Sequence, residues 1–174
     1  VRLHDGDPCL YGALSEQISV LAAAGIGVEV IPGISAYQAT AATLKAELTI
    51  PNIVQTIVLS RASGRTGVPK KERLEKLASL RASLCIYLSA RHVEETQEIL
   101  LKHYPSNTPV AISYRVSWPD EWLKVVPLRE MASASMERKL FRTTLYLISP
   151  ALERTNQRSK LYSASHNHLF REQS

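Results

Sequence analysis

The sequence predicts an α/β fold in two parts, a short parallel-sheet domain at the N-terminal end followed by a mixed-sheet α/β domain. Three observations carry this. Short β-branched runs alternate with segments of helical period along most of the chain. Two loops rich in Gly, Asp, Pro and Ser each follow such a run. Late in the chain, two apolar runs are separated by Ser117-Trp118-Pro119-Asp120, a turn that sends the second back antiparallel.

The elements follow in order. The chain opens on Val1-Arg2-Leu3 without a methionine or a polar lead-in, which reads as a strand entered midway, so an N-terminal portion is expected to be missing. Leu14, Ile18, Leu21 and Ala22 recur at helical spacing, with Ser15 as the cap and Gly25 and Gly27 as the stop, predicting a helix over 14–24. Val28-Glu29-Val30-Ile31 is a β-branched strand closed by Pro32-Gly33, after which Ser35 caps an alanine-rich helix reaching about residue 46. Pro51-Asn52 interrupts, and residues 54–59 begin a new strand, so the domain boundary is expected here: 1–52 the remainder of an N-terminal domain, 53–152 a C-terminal domain, 153–174 a polar tail. Residues 60–71 form a long loop rich in Gly, Ser and basic residues. Helix, strand, helix and strand are expected over 72–80, 83–88, 91–103 and 109–115, then strands over 122–126 and 143–149.

Composition narrows the function classes. With 174 residues, 45% of them hydrophobic, the chain can bury a sizeable core. No apolar run approaches the roughly 20 residues that span a bilayer. Cys9 and Cys85 lie far apart without CxxC spacing, which argues against a disulfide framework or a zinc ribbon and makes a cytoplasmic location the expectation. A net charge of +5 suits a polyanionic partner. That charge fits nucleic acid, an anionic membrane or a polyanionic small molecule alike, and dispersed basic residues with only 6% aromatics weaken the nucleic-acid reading.

Asp5-Gly6-Asp7-Pro8 and Pro32-Gly33-Ile34-Ser35-Ala36 both sit at strand ends one βαβ unit apart, where open α/β sheets bind ligands. Gly6 lets backbone approach a ligand, and Asp5 or Asp7 can accept from its hydroxyl or amino groups. Each segment alone also reads as a turn or a capped helix. No Ser/His/Asp or Cys/His signature is present. Cys9 and His4 read as loop or core residues, and His166 with His168 lacks a third ligand, so no metal is expected.

These residues resemble a known family. Arg2-Leu3-His4-Asp5-Gly6-Asp7-Pro8-Cys9-Leu10-Tyr11-Gly12 is similar to the RLxxGDPxxYG segment of the tetrapyrrole methylases, and Val30-Ile31-Pro32-Gly33-Ile34-Ser35-Ala36 to their PGxSA segment. Glu47-Leu48-Thr49, Gln55-Thr56, Leu59-Ser60-Arg61, Tyr114-Arg115-Val116-Ser117-Trp118-Pro119-Asp120 and the tail through His168-Leu169-Phe170 narrow the similarity to the branch that methylates precorrin-4 at C-11. Family members open with a glycine-rich loop ahead of this segment, so the resemblance too implies an expected missing N-terminal portion.

The resemblance implies the two-domain tetrapyrrole methylase fold, S-adenosylmethionine as methyl donor, a tetrapyrrole substrate with or without cobalt, and a homodimer. Carried over by position, the cofactor contacts are Asp5, Gly6, Asp7, Leu10, Ser35, Ala36, Leu88, Val116, Thr143 and Thr144. For Leu88 and Val116, core packing is the alternative. Arg61 and Arg115 are the candidates for the substrate's carboxylates, with solvated surface charge as the alternative, and Arg65, Lys70 and Lys71 are candidates to close over it. No catalytic base is assigned. Two other readings stay open: methylation at another ring position, and a non-catalytic remnant.

Overall fold

The computed structural model describes residues 1–62 and 67–153. Five strands form one mixed sheet: β1 (Ile57–Arg61), β2 (Ser83–Tyr87), β3 (Pro109–Tyr114), β4 (Trp122–Pro127) and β5 (Thr144–Ile148), in the order β1-β2-β5-β3-β4. β1 and β2 are parallel, in register from Ile57↔Ser83 to Arg61↔Tyr87. β5 is inserted antiparallel between β2 and β3, and β4 returns antiparallel along β3.

The period of two along each strand sends alternate side chains into two cores. Leu84, Ile86, Val110, Ile112, Tyr146 and Ile148 point to one face, where they pack with residues of α3 (Leu74–Ala78), α4 (Val93–Leu101) and α5 (Met131–Glu137). Cys85, Ala111, Leu145 and Leu147 point to the other and meet Leu48 together with Tyr37, Ala41 and Leu44 of α2 (Ala36–Leu44). With both faces covered, β2 and β5 are almost entirely buried, which is why they read as unbroken apolar runs in the sequence. Each of these fully buried Leu or Ile side chains contributes about 1.5–3 kcal/mol of transfer free energy. Hydroxyl pairs stitch the layers: Thr40 to Ser113 at 2.8 Å joins α2 to β3, and Ser83 to Ser149 at 2.6 Å joins β2 to the end of β5.

Several expectations are corrected. Residues 1–3 and 28–31 are not strands, since neither segment has a hydrogen-bonded neighbour among the described residues, and an extended segment becomes a strand only by pairing. Their apolar side chains stay exposed, Val1, Leu3, Val28 and Ile31 among them. The helix α1 (Leu14–Ala23) forms where its period predicts, but Ser15 lies inside it and Ala13, in the left-handed region at φ 50°, takes the cap position. No residue of α1 is buried. Ser35 does precede α2 as expected, and its N–H donates to Gln38 Oε1 at 3.0 Å. α5 was not expected. Its seven residues, Met-Ala-Ser-Ala-Ser-Met-Glu, are too few and too weakly patterned to signal a helix, and it is held by tertiary contacts: Ala132 N–H donates to Gln97 Oε1 at 2.7 Å, and Tyr146 Oη to Ser135 Oγ at 3.1 Å.

Candidate functional site

The sheet topology gathers one end of every inner strand. Because β5 runs against β2 and β3, the C-terminal ends of β2 and β3 lie beside the N-terminal end of β5. Leu88, Arg115 with Val116, and Thr143 with Thr144 therefore emerge together. The parallel pairing of β1 with β2 adds Arg61 beside Tyr87. Over this end fold the first loop, 5–11, and the loop entering α2, 33–36, and between loops and strands lies a cavity of about 730 Å³.

The backbone around the cavity is unusual. Tyr11, Leu88, Arg115, Ser117 and Thr143 line it and all have φ between 49° and 72°. For a leucine or a β-branched threonine this is a strained conformation. Leu88 is thereby turned outward to 71% exposure, at the end of a strand that is otherwise buried, so core packing does not account for it. Gly6, at φ 69°, allows the first loop to lie against the second, and a Cβ on Gly33 would stand 2.2 Å from the Gly6 carbonyl oxygen.

Asp7 locks these loops together. Its carboxylate accepts from the backbone N–H of Cys9 at 2.7 Å and of Gly33 at 3.1 Å. Those two bonds, Cys9 first, hold its carboxyl below the ordinary value of 3.8. A carboxyl depressed by folding stabilises at pH above the unfolded value and loses that effect as pH falls through the folded one. Protection of the Gly33 amide against exchange is therefore expected to be full above pH 3.8 and to fall as pH drops below it. Asp7→Asn should blunt that dependence. A Gly33 amide whose protection ignores acid would show that the lock lies elsewhere.

Tyr87 is the second fastener. Its hydroxyl meets Ser35 Oγ at 2.8 Å and accepts from Tyr37 N–H at 3.2 Å, joining the end of β2 to the start of α2. Its ring lies 5.3 Å from that of Tyr11. Burial raises both phenols above their ordinary value, against the lowering influence of Ser35 on Tyr87 and of the Arg61 charge on Tyr11, so both are neutral at physiological pH. Tyr87→Phe keeps the ring and strands two polar partners, an expected loss of about 1–3 kcal/mol in denaturant unfolding. An unchanged midpoint would mean water replaces the hydroxyl without cost. The sequence reading gave Tyr87 and Tyr11 no role in the site, although Tyr11 is the tyrosine of the RLxxGDPxxYG segment and Tyr87 stands next to Leu88.

Residues 1–132 match the family of tetrapyrrole (corrin/porphyrin) methylases. The chain is 42% identical over 171 residues to a precorrin-4 C(11)-methyltransferase of Pseudomonas aeruginosa, covering 98% of this chain and 68% of that protein. To a cobalt-precorrin-4 C(11)-methyltransferase of Methanocaldococcus jannaschii it is 38% identical, covering 98% and 67%. The X-ray structure of a cobalamin biosynthetic enzyme, cobalt precorrin-4 methyltransferase, superposes with a TM-score of 0.85 at 34% identity, over 88% of this chain and 65% of that one. The chain belongs to the tetrapyrrole methylase family. It spans about two thirds of the length of the relatives it matches.

Within this tetrapyrrole methylase, the cavity is lined by all ten residues that the resemblance implied as cofactor contacts: Asp5, Gly6, Asp7, Leu10, Ser35, Ala36, Leu88, Val116, Thr143 and Thr144. They are not equivalent. Asp7 and Ser35 are engaged with protein partners, Thr144 Oγ1 donates to the Arg142 carbonyl at 3.1 Å, and Val116 is half-buried. Asp5 is exposed, and its carboxylate has no protein partner among the described residues. Of the two arginines implied for substrate, Arg115 lines the cavity, bound to Asp120 at 2.6 Å and stacked 4.3 Å from the centre of the Trp118 ring. Arg61 lies outside the lining, at the end of β1, with Nη2 donating to the Gly67 carbonyl at 3.1 Å. Lys70 and Lys71 are exposed in a single 3-10 turn. Arg65, His166 and His168 lie outside the described residues. The cysteines take no part in the cavity, and burial pushes the Cys85 thiol up to about 12, which keeps it protonated.

Proposed function

We propose that this protein transfers a methyl group from S-adenosylmethionine to C-11 of precorrin-4 or of its cobalt-containing counterpart. The observation that carries the reading is the convergence of two separate loops and three strand ends on one cavity of about 730 Å³, within the range of small-molecule sites. Support comes also from the relatives, which bear this activity in their names, and from the family's use of S-adenosylmethionine.

The cavity residues suit an adenosyl amino acid. Asp5 offers an unpartnered carboxylate for an ammonium or ribose hydroxyls, Gly6 and Asp7 line the cavity beside it, and Leu10, Ile34, Leu88 and Val116 supply apolar surface for the rest. The bound cofactor supplies a methyl on a sulfonium, already activated toward displacement. The protein's task is then alignment and exclusion of water. The Asp7 and Tyr87 fasteners hold the two loops at fixed separation, while the strained turn at Leu88 presents an apolar side chain to the cavity. Arg61 and Arg115 act at the rim, where guanidinium groups meet the carboxylates of a tetrapyrrole, Arg115 by exchanging Asp120 for the ligand. Residues 1–52 and 53–152 act as the two walls of the cleft. The protein works in the cytoplasm as a homodimer, for which the exposed Leu3, Ile26, Val28 and Ile31 provide apolar surface. Among the described residues, no helix is long and apolar enough to cross a membrane.

Incubation with methyl-labelled S-adenosylmethionine and a precorrin-4 source is expected to put label at C-11. Label at another ring carbon would move the protein to a different branch of the family, and binding of donor and macrocycle without transfer would make it a non-catalytic member.

A further inference from the structure

Among the described residues, three guanidinium groups line the main cavity, those of Arg91, Arg115 and Arg142, and one of them is committed. Arg115 is held by Asp120 and Trp118. Among the described residues, neither Arg91 nor Arg142 makes a side-chain hydrogen bond or an ion pair. They come to one place by topology: Arg91 follows the C-terminal end of β2, Arg142 precedes the N-terminal end of β5, and the antiparallel pairing sets those ends side by side. Of the two acids in the lining, Asp7 is taken up by the backbone N–H groups of Cys9 and Gly33, which leaves Asp5 alone against two unpaired cations.

A second cavity, of about 670 Å³, shares Ala90, Arg91 and Phe141 with the first. It holds Glu94, Glu95 and Glu98 against Lys139, so its far side repels anions and leaves the first cavity as the favourable place for them. Phe141, 61% exposed, is next to Arg142 in sequence and borders both spaces, presenting an aromatic face with no neighbouring ring among the described residues.

Resting on the reading of this cleft as a tetrapyrrole site, we propose that Arg91 and Arg142 are its specificity-determining pair, selecting a planar macrocycle with several carboxylates and laying it against Phe141. A lone amino-acid carboxylate beside its own ammonium is satisfied by one guanidinium. Two unpaired ones, each able to grip a carboxylate bidentately, match a polycarboxylate edge. These residues differ from Arg61 and Arg115, which the sequence pointed to and which already have partners.

The test titrates the full chain with uroporphyrin, a tetrapyrrole bearing eight free carboxylates, and with its octamethyl ester, following porphyrin fluorescence, and measures S-adenosylhomocysteine binding by calorimetry. The unaltered chain is expected to prefer the acid over the ester by about tenfold or more, as charge-assisted pairs require. The double variant Arg91→Gln/Arg142→Gln should lose most of that preference, Arg61 and Arg115 at the rim keeping the remainder, and keep its S-adenosylhomocysteine affinity. Lys139→Gln, in the second cavity only, should keep both. Undiminished preference for the acid in the double variant overturns the assignment while leaving the proposed function standing. Loss of S-adenosylhomocysteine affinity with the preference intact also overturns it and makes the pair a cofactor clamp. A chain that binds S-adenosylhomocysteine but neither porphyrin overturns the tetrapyrrole reading itself, and the assignment with it.

Discussion

Replacing Gly33 by alanine is expected to abolish the close packing of the two cavity loops. The added Cβ would stand 2.2 Å from the Gly6 carbonyl oxygen and 2.9 Å from its carbon, and both atoms belong to backbone, which has no rotamer through which to retreat. The loops must separate, and the Gly33 N–H bond to Asp7 separates with them. Forcing a methyl into such a contact costs about 1–3 kcal/mol. Because the strain falls at the cavity, affinity for S-adenosylhomocysteine should drop about tenfold or more, while the sheet and its two cores remain folded. Gly27→Ala is the control, since nothing lies within 4 Å of its Cβ position. Calorimetry in which both variants bind like the parent would show that the loops adjust freely and that their contact does not shape the site.

The second large effect is a contrast between two buried leucines. Leu147 and Leu84 are both fully buried in neighbouring strands, yet they point to opposite faces: Leu147 lies in the cluster under α2, and Leu84 in the cluster with α3, α4 and α5. Either substitution to alanine should cost about 2–5 kcal/mol in chemical unfolding. Only Leu147→Ala should also weaken S-adenosylhomocysteine binding, because the cap residue Ser35 with Ala36 and Ala39 reaches the cavity at the start of α2, whose Tyr37, Ala41 and Leu44 rest on that cluster. Equal affinity in the two variants, measured well below their unfolding midpoints, would mean that the Thr40–Ser113 and Ser35–Tyr87 bonds hold α2 in place without the packing beneath it.

Local pattern was enough to reveal much of this protein. The strands at 83–87, 109–114 and 144–148 are runs of apolar and β-branched residues because both faces of the sheet are covered, and that composition is visible without coordinates. The Asp5-Gly6-Asp7-Pro8 and Pro32-Gly33-Ile34-Ser35-Ala36 segments stand out because a ligand loop needs residues that tolerate unusual backbone, and few residue types do. Their resemblance to a known family then led to ten residues that line one cavity.

Tertiary structure decided what depends on distant partners. Residues 28–31 have strand composition but no neighbour to pair with among the described residues, so propensity alone did not make them a strand. α5 has weak composition but is held by Gln97 and Tyr146, so it is a helix. Charge behaved in the same way. Arginines look alike in a sequence, and Arg115 drew notice through its motif, yet its charge is engaged by Asp120 five residues on. Arg91 and Arg142, which no motif marks, are left without partners beside the cavity only because β2 and β5 pair antiparallel, a long-range choice between segments about sixty residues apart that local sequence does not encode.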